Sequence, residues 1–157
     1  MNALTQRESF WKRRVVAPVL AQLKQGVTPE RLALTVALGF ALGIFPILGS
    51  TTLLCAVGAY ALRLNQPVIQ LVNYFAYPLQ LALIIPLYRA GETLFGRAHI
   101  PLSVPLIFER FRADFWKFLA DFGIIAVQGI VVWCLLAPLV IAAIYFTARP
   151  LLRRLAK

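Results

Sequence analysis

Ala37-Leu38-Gly39-Phe40-Ala41-Leu42-Gly43-Ile44-Phe45-Pro46-Ile47-Leu48-Gly49-Ser50-Thr51-Thr52 is the stretch whose reading decides the fold. It lies in the middle of residues 32–62, a run of 31 residues without Asp, Glu, Lys or Arg. As one helix that run would be about 46 Å long, against a bilayer hydrocarbon core of about 30 Å. Pro46, flanked by Gly43 and Gly49, breaks helical continuity. Each half is then about 20 Å long, too short to span. Two half-length helices joined by a tight turn, a re-entrant hairpin, fit better than one crossing. Gly39 and Gly43 form a GxxxG, and Ala33, Ala37 and Ala41 a second row of small residues. Both rows let helices approach closely in lipid.

Two further charge-free runs, 64–88 and 122–148, hold 25 and 27 residues, each long enough to cross a membrane. The whole chain of 157 residues is 61% hydrophobic and 14% charged. A soluble domain is about 25% charged. A soluble enzyme, a disordered tail and a secreted disulfide scaffold are excluded. The expected fold is an all-α integral membrane protein: a broken, re-entrant helical hairpin, two full transmembrane helices and flanking interfacial amphipathic helices. Along one membrane domain, 1–27 reads as a basic cytoplasmic interfacial helix and 28–63 as the broken hairpin. Residues 64–91 read as a Pro-kinked span, 92–121 as an external loop and amphipathic helix, 122–148 as a span and 149–157 as a basic tail.

The net charge of +10 does not signal nucleic acid, because the positive residues gather at the ends of the apolar runs. If 32–62 returns to its starting side, eleven positive residues lie with both termini and five lie with the 89–121 segment. A single crossing would put the basic tail outside. The positive-inside rule therefore favours the hairpin, with both termini cytoplasmic. The first long apolar run begins only at Leu32, so no cleaved signal is expected.

Local signals place the helices. Thr5 and Glu8 have capping-box spacing, and Gly26 is a C-terminal stop. Between them Phe10, Trp11, Val15, Leu20 and Leu23 mix with Lys12, Arg13, Arg14 and Lys24, a helix for an anionic leaflet or the adjacent cytoplasm. Thr28-Pro29-Glu30 supplies a cap, a first-turn proline and a first-turn acid for the next helix. Later, Phe108, Phe111, Phe115, Phe118 and Phe122 recur at helical spacing, with Glu109, Arg110, Arg112, Asp114, Lys117 and Asp121 on other sides. That pattern suits an interfacial helix on the outer leaflet or one packed on the bundle's rim.

Candidate chemistry is sparse. Gln70, Asn73, Tyr77 and Gln80 fall on one helical face beside Pro78. Amides there must face protein or a wet cavity, so the stripe is either interhelical glue or a site. Gly49, Ser50, Thr51 and Thr52, after Pro46, begin the second half-helix with N–H groups and a positive dipole end in mid-bilayer. The stripe and this turn would together hold an anionic group such as a phosphate headgroup, with Arg63 and Arg89 as charged partners. His99 is the one histidine and reads as a loop residue. Cys55 and Cys134 lie in apolar runs and read as buried thiols. No catalytic constellation, metal site or cofactor is expected.

The combination Gly39-Phe40-Ala41-Leu42-Gly43, Pro46, Gly49, Thr51-Thr52, Leu62-Arg63-Leu64-Asn65 and Pro67, continuing through Tyr77-Pro78 to Gly91, resembles the uncharacterised bacterial membrane family DUF2062. Where that family often has Asn-Pro, this chain has Tyr77-Pro78, with Asn73 one turn earlier. The resemblance implies a bacterial inner-membrane protein. Its association with envelope glycosyltransferase domains implies lipid-linked substrates. Two functions follow: transport or handling of an anionic lipid or lipid-linked envelope precursor at the broken helix, or a non-catalytic accessory or scaffold subunit. Expected partners are anionic lipids and a homodimer or membrane-protein partner, with no nucleic acid.

Overall fold

The computed structural model describes residues 27–98 and 104–155. The N-terminal helix expected before residue 27, and His99, lie outside them. Five helices are described: α1 (Pro29–Gly43), α2 (Thr51–Ala61), α3 (Gln66–Leu94), α4 (Val104–Ala113) and α5 (Phe115–Leu155). The protein is all-helical over these residues, and α3 and α5 are long and apolar enough to cross a membrane.

α1 starts as its sequence dictates: the Thr28 side chain accepts from the Arg31 N–H at 3.3 Å, and Pro29 occupies the first turn. It ends where Pro46, having no N–H, cannot extend it. The chain turns through residues 44–50, with Gly49 at φ +82°, and returns as α2. Arg31 Nη1 donates to the Arg63 carbonyl at 3.5 Å, so the start of α1 and the end of α2 share one end of the bundle. By helical rise α1 is about 22 Å long and α2 about 16 Å, whereas α3 is about 43 Å and α5 about 61 Å.

α1 runs alongside α3. A Cβ on Gly39 would lie 3.0 Å from Ile69, and one on Gly43 would lie 2.9 Å from the Ala76 Cβ. Ala33, Ala37 and Ala41 are fully buried. Close packing is the role of both small-residue rows. α5 runs antiparallel to both. Gly91 of α3 meets the Gln128 backbone so closely that a Cβ would sit 2.7 Å from its carbonyl carbon. Glu30 pairs with Arg153 at 2.5 Å and Arg149 at 3.6 Å, joining the start of α1 to the end of α5. A backbone N–H at Glu30 and then the Arg153 guanidinium hold the Glu30 carboxyl below its ordinary 4.5.

Two sequence expectations change. The phenylalanine repeat is not one interfacial helix: the chain breaks at Asp114, whose carboxylate accepts from the Lys117 N–H at 3.0 Å and caps α5. Phe115, Phe118 and Phe122 therefore belong to the long helix, which also continues past Ala148 through the arginines to Leu155. Cys55 is buried, but Cys134 is exposed. It lies beside exposed Leu135 and Leu136 of α5.

Candidate functional site

The break between α1 and α2 frees backbone carbonyls. The Phe45 N–H bonds to the Leu42 carbonyl instead of continuing the α-helical ladder to Ala41. Side chains from the two long helices take up the freed oxygens. Trp133 Nε1 donates to the Ala41 carbonyl at 3.0 Å, and the Tyr88 hydroxyl to the Pro46 carbonyl at 2.7 Å. Gln80 Nε2 donates to the Phe45 carbonyl at 2.7 Å and the Ile47 carbonyl at 3.3 Å. The Ser50 hydroxyl adds a bond to the Ile47 carbonyl at 2.9 Å. The Phe45 ring also meets Trp133 edge-on, with centroids 4.9 Å apart. All these donors are neutral, so the break is held without a buried charge.

The N–H side of the turn is treated differently. No side chain caps α2, because the Ser50 hydroxyl is turned toward Ile47. By helix geometry the first amides of α2 have no intrahelical partner. Gly49 and Thr52 are exposed, while Ser50 is half-buried and Thr51 buried. The Thr52 hydroxyl accepts from Asn73 Nδ2 at 3.4 Å, a bond that does not use its own proton. Gln70 Nε2 donates to the Thr52 carbonyl at 3.0 Å, and its Oε1 accepts from Asn73 at 3.4 Å.

The structure thus brings together Pro46, Ser50, Thr52, Gln70, Asn73 and Gln80 of the sequence-derived set, largely through bonds to each other and to the turn. Tyr77 shares the stripe's face but is 48% exposed. It lies one turn beyond Asn73, past the start of α2, where α2 no longer covers α3. Thr52 is exposed in the first turn of α2, which no side chain caps. Arg63 and Arg89 are not brought to this corner. Arg63, at φ +52°, closes the α2–α3 link at the Arg31 end, and Arg89 pairs with Glu92 at 2.9 Å. Among the described residues no three of His, Cys, Asp and Glu come together to hold a metal.

Sequence reading missed Tyr88 and Trp133 as tethers and Glu92 as a buried acid. Trp133 carried a signal: a tryptophan deep inside an apolar run, away from the interfacial belt, needs a partner for its indole N–H. Glu92 was unremarkable in sequence, lying just past an apolar run, and is 1% exposed because α3 continues and packs there.

One protein-family model, described as "Uncharacterized protein conserved in bacteria (DUF2062)", matches residues 12–157. No curated protein and no solved structure matches the chain.

Proposed function

From the premise that the chain belongs to the bacterial family DUF2062, we propose that it is an inner-membrane protein that holds the headgroup of an anionic lipid, or of a lipid-linked envelope precursor, at a re-entrant hairpin. In this reading α1 and α2 enter from the cytoplasmic face and return to it, and both termini are cytoplasmic. Gln80 marks the level of the hairpin tip on α3, and α3 continues for about 21 Å beyond it. In this reading the tip stands inside the bilayer, short of the outer face.

The observation that carries the proposal is an asymmetry at the break. Donors from α3 and α5 take up the carbonyls of Ala41, Phe45, Pro46 and Ile47, whereas the first turn of α2 has no side-chain cap. At that depth exposed N–H groups need an acceptor. An anionic oxygen is the acceptor a helix start favours most. In this reading the Thr52 and Tyr77 hydroxyls would add two donors. Gln70, Asn73 and Gln80 act behind them, positioning Thr52 and the turn.

The second reading, an accessory or scaffold subunit, draws on the full burial of Gln80 and its use on protein carbonyls. One experiment separates the two. Native mass spectrometry measures retained phosphatidylglycerol on the wild type and on Thr52→Val, Tyr77→Phe, Asn73→Ala and Gln80→Leu, beside thermal stability in detergent. Lipid handling requires that Thr52→Val and Tyr77→Phe lose lipid while keeping stability. Equal retention in all four variants, with folding intact, leaves the scaffold reading.

A further inference from the structure

We infer a second lipid site on a different face: an anionic phospholipid of the adjacent leaflet lies in the groove between α1 and α5, one acyl chain inside and its phosphate at Arg31. This inference does not depend on the hairpin reading and needs only that α5 spans the membrane. The groove has a volume of about 560 Å³. Leu34 of α1 and Pro138, Ile141, Ala142 and Tyr145 of α5 form its walls, while Glu30 and Arg31 stand at one end. Polar groups at one end and apolar walls leading toward the middle of α5 match the amphipathic order of a phospholipid lying along the bundle.

Charge selects the headgroup. Among the described residues Glu30 is the one acid at that end, and Arg149 and Arg153 already hold it. Arg31 is exposed, and its Nη1 makes a single long bond, 3.5 Å, to a backbone oxygen. Among the described residues, the guanidinium groups of Arg31, Arg149 and Arg153 against the one carboxylate leave an excess of two positive charges at the mouth. Basic pockets between membrane helices on the cytoplasmic side recruit anionic headgroups on the same principle. Guanidinium groups also bind phosphate oxygens in a two-pronged geometry. Pro138 has no N–H to extend the α5 ladder at the groove's deep end.

The test uses the full chain in micelles doped with phosphatidylglycerol or phosphatidylcholine, read by native mass spectrometry. The wild type should retain phosphatidylglycerol preferentially. Arg31→Gln should lower that retention about fivefold, the effect of one basic residue at a membrane surface. Arg31→Lys, which keeps the charge, should stay within about twofold. Ala142→Trp fills the groove and should abolish retention there. A wild-type measurement guards against misfolded variants: phosphatidylglycerol carrying a diazirine in its acyl chain should label peptides containing Leu34 or residues 138–142. Label on residues 49–52 instead would report the hairpin corner, so the two sites fail separately. Equal retention of both lipids by the wild type, an unchanged Arg31→Gln variant, or label spread evenly over the exposed faces of α3 and α5 overturns the inference.

Discussion

Replacing Gln80 by Leu removes the donor that holds the broken turn. Gln80 is fully buried, and Leu has nearly its volume, so the change leaves little cavity. Two bonds are lost, at 2.7 Å to the Phe45 carbonyl and 3.3 Å to the Ile47 carbonyl. Ile47 keeps the Ser50 hydroxyl at 2.9 Å, so Phe45 is the carbonyl left without this donor. An orphaned buried carbonyl costs about 1–3 kcal/mol, and the weaker bond adds about 0.6 kcal/mol in a membrane protein. Against this, no described group donates to Gln80 Oε1, and removing that buried acceptor returns part of the cost. The net expectation is a loss of about 2 kcal/mol. Reversible unfolding in mixed micelles, followed by helical circular dichroism, measures it. Tyr88→Phe removes the neighbouring bond to the Pro46 carbonyl. Because both bonds hold the same turn, the double variant should depart from additivity by about 0.5 kcal/mol or more. A loss below about 0.5 kcal/mol for Gln80→Leu, additive with Tyr88→Phe, would refute the tether.

The glycines separate two kinds of constraint. Gly43→Ala places a methyl 2.9 Å from the Ala76 Cβ, while Gly49→Ala meets nothing within 4 Å but must hold φ +82°. Gly43→Ala should therefore push α1 from α3 and lower the unfolding midpoint, whereas Gly49→Ala should cost only about 1–2 kcal/mol of backbone strain and leave the packing intact. Gly91→Ala meets backbone rather than a movable side chain, 2.7 Å from the Gln128 carbonyl carbon, and should be the most damaging of the three in the same assay. The Glu30 ties depend on pH in one direction. The folded carboxyl titrates below the ordinary 4.5, so their stabilisation is complete above 4.5 and is lost as pH falls through the lower folded value. Glu30→Gln should remove that acid dependence, as read from the pH profile of the unfolding midpoint.

The short helices were legible because Pro46 and its glycines divide an apolar run that is too long for one span and too short for two. The small-residue rows were legible because a three- and four-residue spacing fixes a face. Direction within the stripe was less so. Periodicity put Tyr77 in the middle of the polar face, but α2 starts only at Thr51 and cannot cover that position. The tethers Tyr88 and Trp133 depend on contacts across 42 and 92 residues of sequence, which no local pattern encodes. The break at Asp114 was hidden because the phenylalanine spacing continues through it, although an Asp just ahead of a long apolar run is itself an N-cap signal.

In the proposed function a phosphate lies against the start of α2. Solid-state NMR on protein labelled with ¹⁵N threonine, in phosphatidylglycerol bilayers, measures dephasing of the Thr52 amide by lipid ³¹P. The account predicts dephasing at the distance of a direct hydrogen bond for wild type, lost in phosphatidylcholine and weakened in Tyr77→Phe. A Thr52 amide no closer to phosphorus than that of Thr35, which is buried in α1, would contradict it.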